Sequence, residues 1–365
     1  MNSSIKFVVS HPTGNNFVKA LLEQLEQKKQ LEKFFTTIGI GEDSNILNNF
    51  FFKKRHYSIP DSKITRKYFH ELIRLLSKGT QLRKRIMTDN SYFFLDNFVS
   101  KKICKSGANV LHAYEDGALA SFKAAKEVGI KCSYELPIAY WITVRKLLKE
   151  EAERYPDWIP TLESQYEPEE KLYRKEKEIG LADRITCPSK FVLESIPSAV
   201  RDKIPCQVAG FGSPFASTII PKKKKNTLKI LFVGSMSQRK GLADLFAAMK
   251  LLKNEPISLS ILGQPSMPIE FYREKINEFN YYPPCSNKKV REIMKEHDAL
   301  ILPSIIEGRA LVQQEALSCG LPIIVTPNAG GEDLIEKGIT GYIVPIRSPN
   351  KIAESVLDLF EKRKS

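Results

Sequence analysis

The segment ALILPSIIEGRALVQQEALSCGLPIIVT, residues 299–326, carries the most specific structural pattern in the chain. The apolar run ALILP is followed by a helical stretch that begins near Ala310 and ends at Gly320, and Pro322 opens a second apolar run. Two such runs joined by a helix predict parallel strands buried on both faces. The turn 307–309 then lies at the carboxyl end of the first strand, where open α/β sheets bind ligands.

The same alternation of apolar runs with helical stretches, the strand–helix rhythm, extends along most of the chain. Six apolar runs alternate with helical stretches after residue 227: LKILFVG, SLSILG, FNYYP, ALILP, PIIVT and TGYIVP. Six more precede residue 212: IKFVVS, FFTTIG, NVLHAY, KCSYEL, RITCPS and CQVAG. The predicted fold class is therefore α/β, with two doubly wound Rossmann-like domains, 1–212 and 228–365, facing each other across a cleft. The polar, lysine-rich segment 213–227 is the expected linker.

Composition agrees with two globular domains, since the chain has 365 residues of which 42% are hydrophobic and 27% charged. The sequence has no apolar stretch of the roughly 18 residues that a transmembrane helix needs and no cleavable leader pattern, so we expect a cytoplasmic location. Its six cysteines are scattered singly, without metal-ligand spacing. We therefore expect reduced cysteines and no metal site.

A basic, aromatic-rich segment around residues 41–106 fits the strand–helix rhythm poorly and is predicted to be an insertion of helices. Between Asn49 and Lys105, fourteen lysines and arginines face four acids, and nine phenylalanines and tyrosines are interleaved with them up to Phe94. Three interpretations remain open: solvated helix faces over an aromatic core, attachment to an anionic membrane surface, or nucleic-acid binding. The last ranks lowest because no nucleic-acid motif accompanies the charge.

The helix after ALILP is suited to bind a diphosphate. Its first amide groups, including those of Leu311 and Val312, have no partner within the helix, and the helix dipole favours an anion there. Glu307 precedes the helix and Glu315 lies inside it, so their carboxylates are placed to accept hydrogen bonds from sugar and ribose hydroxyls. The alternative is that both are ordinary helix glutamates.

A second charged turn follows the strand LKILFVG. Beyond Gly234, the sequence SMSQRKG places Arg239 and Lys240 at the start of the next helix, where cations oppose the dipole. A bound anion would explain them, because arginine grips two phosphate oxygens and lysine supplies a point charge. A chance surface pair is the alternative.

Together, GSMSQRKG and EGRALVQQEALSCGLPIIVT resemble the nucleotide-sugar half of the family-4 group of retaining GT-B glycosyltransferases. The group's two glutamates, separated by seven residues, fall on Glu307 and Glu315. Two departures are Ser235, where many members carry arginine, and Arg309–Ala310, which replaces an aromatic–glycine pair. The resemblance implies a UDP- or GDP-linked sugar as donor substrate and no permanently bound cofactor.

In the first half, the turn HPTGN (residues 11–15) resembles the family loop that closes over the donor phosphates. Gly14 would let backbone approach the ligand, and Asn15 or Asn16 would cap the next helix. His112 matches a family histidine beside the donor sugar, although a histidine at a strand end is often only structural. Glu135 is a weaker candidate for acceptor binding.

The resemblance also implies a mechanism: retention of configuration, with the departing diphosphate accepting the acceptor's proton. Arg239, Lys240 and helix amides would stabilise the leaving charge in place of a metal, and Glu307 and His112 complete the predicted catalytic set. The acceptor is expected to be a sugar or a lipid-linked sugar in cell-surface polysaccharide or glycolipid assembly, with no nucleic acid involved. Alternatives are a sugar-nucleotide epimerase, a phosphorylase-like enzyme, or a non-catalytic basic membrane-binding protein.

Overall fold

The computed structural model describes residues 5–44, 55–76, 81–162, 167–210, 212 and 226–364. The chain divides into two compact units. The first comprises Met1–Pro137, Glu167–Thr186 and Pro197–Gln207, and the second comprises Ile138–Tyr166, Cys187–Ile196 and Val208–Ser365. The predicted linker, residues 213–227, lies outside the described residues except for its last two.

The described residues contain two sheets and the helices that cover them. The strands are β1 (Phe7–Ser10), β2 (Leu31–Thr36), β3 (Ile64–Arg66), β4 (Val110–Tyr114), β5 (Lys131–Glu135), β6 (Arg184–Cys187), β7 (Cys206–Val208), β8 (Leu228–Val233), β9 (Ile257–Leu262), β10 (Asn280–Tyr282), β11 (Ala299–Leu302), β12 (Ile323–Val325) and β13 (Gly341–Ile343). The α-helices are α1 (Asn16–Gln27), α2 (Phe69–Leu76), α3 (Gln81–Ile103), α4 (Leu119–Glu127), α5 (Trp141–Arg154), α6 (Glu169–Gly180), α7 (Lys190–Ser195), α8 (Ser198–Arg201), α9 (Leu242–Leu251), α10 (Ile269–Lys275), α11 (Asn287–Lys295), α12 (Leu311–Ser318) and α13 (Pro349–Lys364).

The first sheet has seven strands in the order β3-β2-β1-β4-β5-β6-β7. All pairs from β3 to β6 are parallel. The strand order reverses between β1 and β4, and in doubly wound sheets ligands bind outside the carboxyl ends at such a reversal. Every strand predicted in this half is present, with ends that differ by at most three residues.

The second sheet has six parallel strands in the order β10-β9-β8-β11-β12-β13. These are the six strands predicted from the apolar runs. Their central residues, such as Ile230, Leu300 and Ile324, are fully buried because helices cover both faces of the sheet. The predicted fold class, two parallel Rossmann-like α/β sheets, is confirmed.

The basic segment around 41–106 is more than an insertion of helices. It contains α2 and α3, as expected, but Ile64–Arg66 also forms strand β3 at the edge of the first sheet. No local sequence pattern indicated this strand, because it is three residues long and only Ile64 is buried. Residues 45–54 of this segment lie outside the described residues.

The second unit also takes in helix α5, which precedes the predicted linker. Leu148 of α5 packs against Ile305 and Ile306, and Arg347 Nε donates a 2.5 Å hydrogen bond to Glu151 Oε1. The compact units therefore differ from the continuous domains 1–212 and 228–365 that the sequence suggested. The sequence could not predict these boundaries, because α5 packs against residues far along the chain and such contacts leave no local pattern.

Candidate functional site

The turn after β8 depends on two glycines. Gly234 directly follows the strand with φ +152°, and Gly241 has φ +74° in the left-handed region. A side chain at Gly241 would place its Cβ 1.9 Å from the Pro303 carbonyl oxygen. Only glycine therefore lets this turn approach the end of β11 so closely.

Between these glycines, Arg239 and Lys240 lie in a 3₁₀ turn, Gln238–Lys240, directly before α9 rather than inside it. The Lys240 ammonium donates a hydrogen bond to Glu307 Oε2. Arg239 Nη1 lies 3.5 Å from the same oxygen and donates to the Ile306 carbonyl oxygen at 3.0 Å. The structure thus brings together three of the predicted residues as two cations around one carboxylate.

Burial and mutual charge shape the protonation of this cluster. Burial alone would raise the pKa of Glu307, but Lys240 and Arg239 outweigh it and hold that pKa below its usual value. Burial lowers the pKa of Lys240, and Glu307 opposes the effect. The three side chains carry a net charge of one positive unit when all are ionised. That excess suits a phosphate-bearing ligand.

Helix α12 begins four residues after Glu307. Its N-cap, Ala310, makes no side-chain hydrogen bond, and the Ala310 amide donates to Ala329 O at 3.1 Å. Among the described residues, the amides of Leu311 and Val312 donate to no carbonyl oxygen, as the first turn of a helix requires. The Ala310 amide is therefore already occupied and is not available to a ligand.

Glu315 lies one turn into α12. Its carboxyl is half-buried, and burial raises its pKa despite the opposing charge of Arg291. It makes no hydrogen bond with a described residue and is not part of the Arg239–Lys240–Glu307 cluster. Its predicted role at a ribose stays a prediction.

Arg309, the departure from the family pattern, makes structural contacts. Its Nη1 and Nη2 form a bidentate pair with Asp333 at 2.7 and 2.8 Å, and Nη1 also donates to the Gly330 carbonyl oxygen at 3.1 Å. Its side chain is almost fully buried. Arg309 therefore fixes residues 330–333 beside the start of α12.

A buried network that no local sequence pattern indicated supports the turn Gln238–Lys240. Gln238 is fully buried, and its Nε2 donates to Glu151 Oε2 at 2.6 Å and to Asp244 Oδ2 at 2.8 Å. Its Oε1 accepts from the Ala243 amide, and its backbone amide donates to Thr161 Oγ1. Because Gln238 directly precedes Arg239, this network fixes the turn that presents both cations.

In the first unit, the turn after β1 is held by local hydrogen bonds. Asn15 caps α1 as predicted, since its Oδ1 accepts from the Val18 amide at 2.8 Å. Gly14 is half-buried and has no positive φ. The backbone amide of Thr13 donates to His11 Nδ1 at 3.1 Å. Burial lowers the pKa of His11 to about 4.

His112 lies on β4 and is also buried. Its Nδ1 lies 3.0 Å from Ser133 Oγ, whereas its Nε2 has no hydrogen-bond partner among the described residues. Burial lowers the pKa of His112 to about 4, so the ring is neutral at physiological pH. A neutral ring with one free nitrogen can bind a hydroxyl group.

The basic segment exposes part of its apolar surface. Tyr68, Phe69 and Leu75 are 59, 62 and 54% exposed. Other aromatic residues of the segment, such as Tyr57, are buried. The interpretation of solvated helix faces over an aromatic core therefore fits only part of the segment. Across the portion of the chain that the structure describes, no helix is long and apolar enough to span a membrane.

Comparisons with known proteins fit this geometry. Residues 217–365 match the family model described as Glycosyl transferases group 1. A protein of the cps region of Klebsiella pneumoniae, itself uncharacterised, is 32% identical over 133 residues, 36% of this chain and 36% of the relative. A Salmonella typhimurium protein, provisionally named the colanic acid biosynthesis glycosyltransferase WcaL, is 27% identical over 141 residues, 34% of each chain. Each match thus spans about a third of the relative's own length.

The fold likeness covers the whole chain. The structure of HepE from Anabaena in complex with UDP superposes with a TM-score of 0.60 and 11% identity, covering 99% of this chain and 94% of HepE. Two parallel, helix-covered Rossmann-like sheets of this kind define the GT-B architecture. Residues 217–365, which match the Glycosyl transferases group 1 model, contain all six strands of the second sheet.

Proposed function

We propose that this protein is a retaining, metal-independent glycosyltransferase. It moves a sugar from a UDP- or GDP-sugar to a hydroxyl-bearing acceptor during assembly of cell-surface polysaccharide or glycolipid. The observation that carries the proposal is the cluster of Arg239 and Lys240 around Glu307, four residues before the start of α12. Two cations, one acid and helix amides that donate to no carbonyl oxygen of the described residues match a diphosphate joined to a sugar.

The predicted residues take the following roles in this proposal. Arg239 and Lys240 neutralise the leaving diphosphate, and the amides of Leu311 and Val312 donate to its oxygens. Glu307 accepts hydrogen bonds from sugar hydroxyls, and Glu315 accepts them from the ribose. Gly234, Gly14, Asn15 and His112 complete the proposed set, with Gly14 and Asn15 near the phosphates and His112 beside the donor sugar.

In the proposed reaction, the bond between the sugar's anomeric carbon and the diphosphate breaks. The acceptor oxygen bonds to that carbon on the same face, and a diphosphate oxygen takes the acceptor's proton. The bond electrons leave with the diphosphate, whose growing negative charge is stabilised by Lys240 and Arg239. No protein nucleophile is needed.

The proteins that this chain resembles support the substrate class. The Salmonella relative is provisionally assigned to colanic acid biosynthesis, the Klebsiella relative lies in a cps region, and HepE binds UDP. These names favour a polysaccharide pathway and a UDP-linked donor, with a GDP-linked donor as the alternative.

We also propose that the protein is cytoplasmic and contacts an anionic membrane surface through α2. Phe69 and Leu75 expose apolar side chains in a segment rich in lysine and arginine. Each basic residue near an anionic bilayer contributes about 1 kcal/mol of attraction. Such contact would bring a lipid-linked acceptor to the enzyme.

A two-stage experiment tests the transferase proposal. A thermal-shift screen of UDP- and GDP-sugars should find a donor that raises the melting temperature, because ligand binding stabilises the native state. The protein is then incubated with that donor and with lipid-linked or free sugar acceptors, in the presence of EDTA to remove metal ions. The nucleoside diphosphate should be released, and the glycoside formed should keep the anomeric configuration of the donor sugar. Binding without any transfer or hydrolysis would favour a non-catalytic protein, and conversion of the donor sugar without transfer would favour an epimerase.

A further inference from the structure

The segment between β11 and α12, residues 303–310, contains Glu307 and has no regular secondary structure. Side chains from elsewhere in the second unit hold it in place. Four of its backbone carbonyl oxygens accept a side-chain hydrogen bond: Ser304 O from Thr326 Oγ1 at 2.5 Å, Ile305 O from Asn328 Nδ2 at 2.7 Å, Ile306 O from Arg239 Nη1 at 3.0 Å, and Gly308 O from Ser189 Oγ at 2.6 Å. Because irregular backbone makes no repeating hydrogen bonds of its own, these four donors fix the path of the segment.

Ser189 reaches this segment from a distant part of the sequence. It lies two residues after β6 and 119 positions before Gly308. Both residues are buried and belong to the second compact unit. Ser189 is only 3% exposed, so water does not compete for its hydroxyl. The bond therefore holds the Gly308 carbonyl in one orientation.

The contact between Ser189 and Gly308 is closely packed, because Gly330 lies against both residues. Gly330 has φ +73°, in the left-handed region. A Cβ atom at this position would lie 2.8 Å from Ser189 Cβ and 2.4 Å from the Gly308 carbonyl oxygen. A glycine at position 330 is therefore required for Ser189 to reach Gly308.

Ser189 also has an ordinary structural role at the start of α7. It is the N-cap of this helix, and its Oγ accepts a hydrogen bond from the Val192 amide at 3.3 Å. Capping uses the hydroxyl only as an acceptor, whereas the bond to Gly308 uses it as a donor. The two roles can therefore be separated by substitution.

We propose that Ser189 is a positioning residue for Glu307. Glu307 directly precedes Gly308, whose carbonyl oxygen accepts from Ser189 Oγ. On the other side of Glu307, the Ile306 carbonyl oxygen accepts from Arg239 Nη1. The backbone of Glu307 is thus held on both sides, and loss of the Ser189 hydroxyl releases one of them. The inference rests on the proposed function, in which Glu307 contacts the donor sugar.

Loss of the Ser189 hydroxyl should affect turnover and nucleotide binding differently. The two cations of the turn Gln238–Lys240 are held by the buried network of Gln238, which Ser189 does not enter. Nucleotide binding should therefore persist without the Ser189 hydroxyl. The sugar contact of Glu307 should become less well placed, and a misplacement of about 1 Å lowers turnover by up to about 100-fold.

The test uses the full chain with Ser189→Gly, Ser189→Ala and Ser189→Thr. Glycine and alanine both remove the hydroxyl, but glycine is the better N-cap and keeps most of the capping stability. Threonine keeps the hydroxyl, and the comparison of glycine with alanine decides the question even where its extra methyl group fits poorly. Ser355→Ala is the matched control, because Ser355 Oγ donates to the Lys351 carbonyl oxygen of its own helix at 2.8 Å.

Three measurements are made on each variant. Nucleotide release from UDP-glucose, UDP-galactose and GDP-mannose, with lipid-linked and free sugar acceptors present, gives kcat and KM. Calorimetry gives the Kd of UDP and GDP, and thermal unfolding gives the melting temperature. In Ser189→Gly and Ser189→Ala, kcat should fall by about 10- to 100-fold to a similar extent, while the Kd of the nucleotide stays within about twofold of wild type. Ser189→Thr should keep kcat within about threefold, and Ser355→Ala should match wild type.

Equal losses of turnover in Ser189→Gly and Ser189→Ala, with a lower melting temperature in the alanine variant, would support the positioning role. Turnover that follows the melting temperature, with the glycine variant close to wild type, would show that only capping matters and would refute it. Unchanged turnover in both variants, or nucleotide binding weakened as much as turnover, would refute it too. If wild type releases nucleotide from none of the three donors, the proposed function fails and the positioning role fails with it.

Discussion

Replacing Glu307 by glutamine should separate nucleotide binding from turnover. In the unliganded protein, the Glu307 carboxylate lies against Lys240 and 3.5 Å from Arg239, so it neutralises one of the two cations. Glutamine keeps the shape of the side chain and removes the charge. The net charge of the three side chains then rises from one positive unit to two, which should favour a bound diphosphate.

The expected magnitude follows from Coulomb's law. A carboxylate about 6 Å from a phosphate charge, at an effective dielectric of about 20, repels it by roughly 3 kcal/mol. Solvent screening at this partly accessible site reduces the gain to about 1.4 kcal/mol, or tenfold in Kd. Turnover should fall by about 10- to 100-fold, because a charged hydrogen bond to the sugar is lost.

Titration calorimetry with UDP and GDP, together with an assay of nucleotide release from the best donor, measures both effects. Glu278→Gln, at an exposed glutamate of the same unit, is the matched control. The difference in Kd should shrink at high salt, because ions screen the charge. Weaker nucleotide binding in Glu307→Gln than in wild type, or unchanged turnover, would refute this account of the cluster.

Three further predictions address other parts of the molecule. Lys240→Ala should lower turnover by about 100- to 1,000-fold while circular dichroism shows an intact fold, since Glu307 keeps Arg239 as a partner; turnover near wild type would remove Lys240 from the site. Gln238→Leu should destabilise the protein by about 3 kcal/mol, because Glu151 and Asp244 each lose a donor; a melting temperature equal to wild type would show that the network is not stabilising. Double substitution of Phe69 and Leu75 by serine should abolish flotation with anionic liposomes; flotation that persists, or is absent in wild type, would contradict the membrane proposal.

The first unit shows which strands can be predicted from a local sequence pattern and which cannot. Apolar runs such as NVLHAY marked β4 because a strand covered by helices on both faces must be apolar along its length. The sequence did not predict strand β3, because an edge strand of three residues buries too few apolar side chains to show a strand pattern. The fold class was therefore predictable from the sequence, whereas the edge of the sheet was not.

The sequence by itself determined the two parallel sheets and the identity of the charged turn, because strand–helix periodicity and the run SQRKG are local features. Only the tertiary structure decided that Lys240 and Arg239 share Glu307 and that Gln238 is anchored by Glu151 of α5. It also decided that Arg309 is paired with Asp333. These contacts join residues 24 to 87 positions apart, and the pairing of distant side chains depends on packing that no local pattern records.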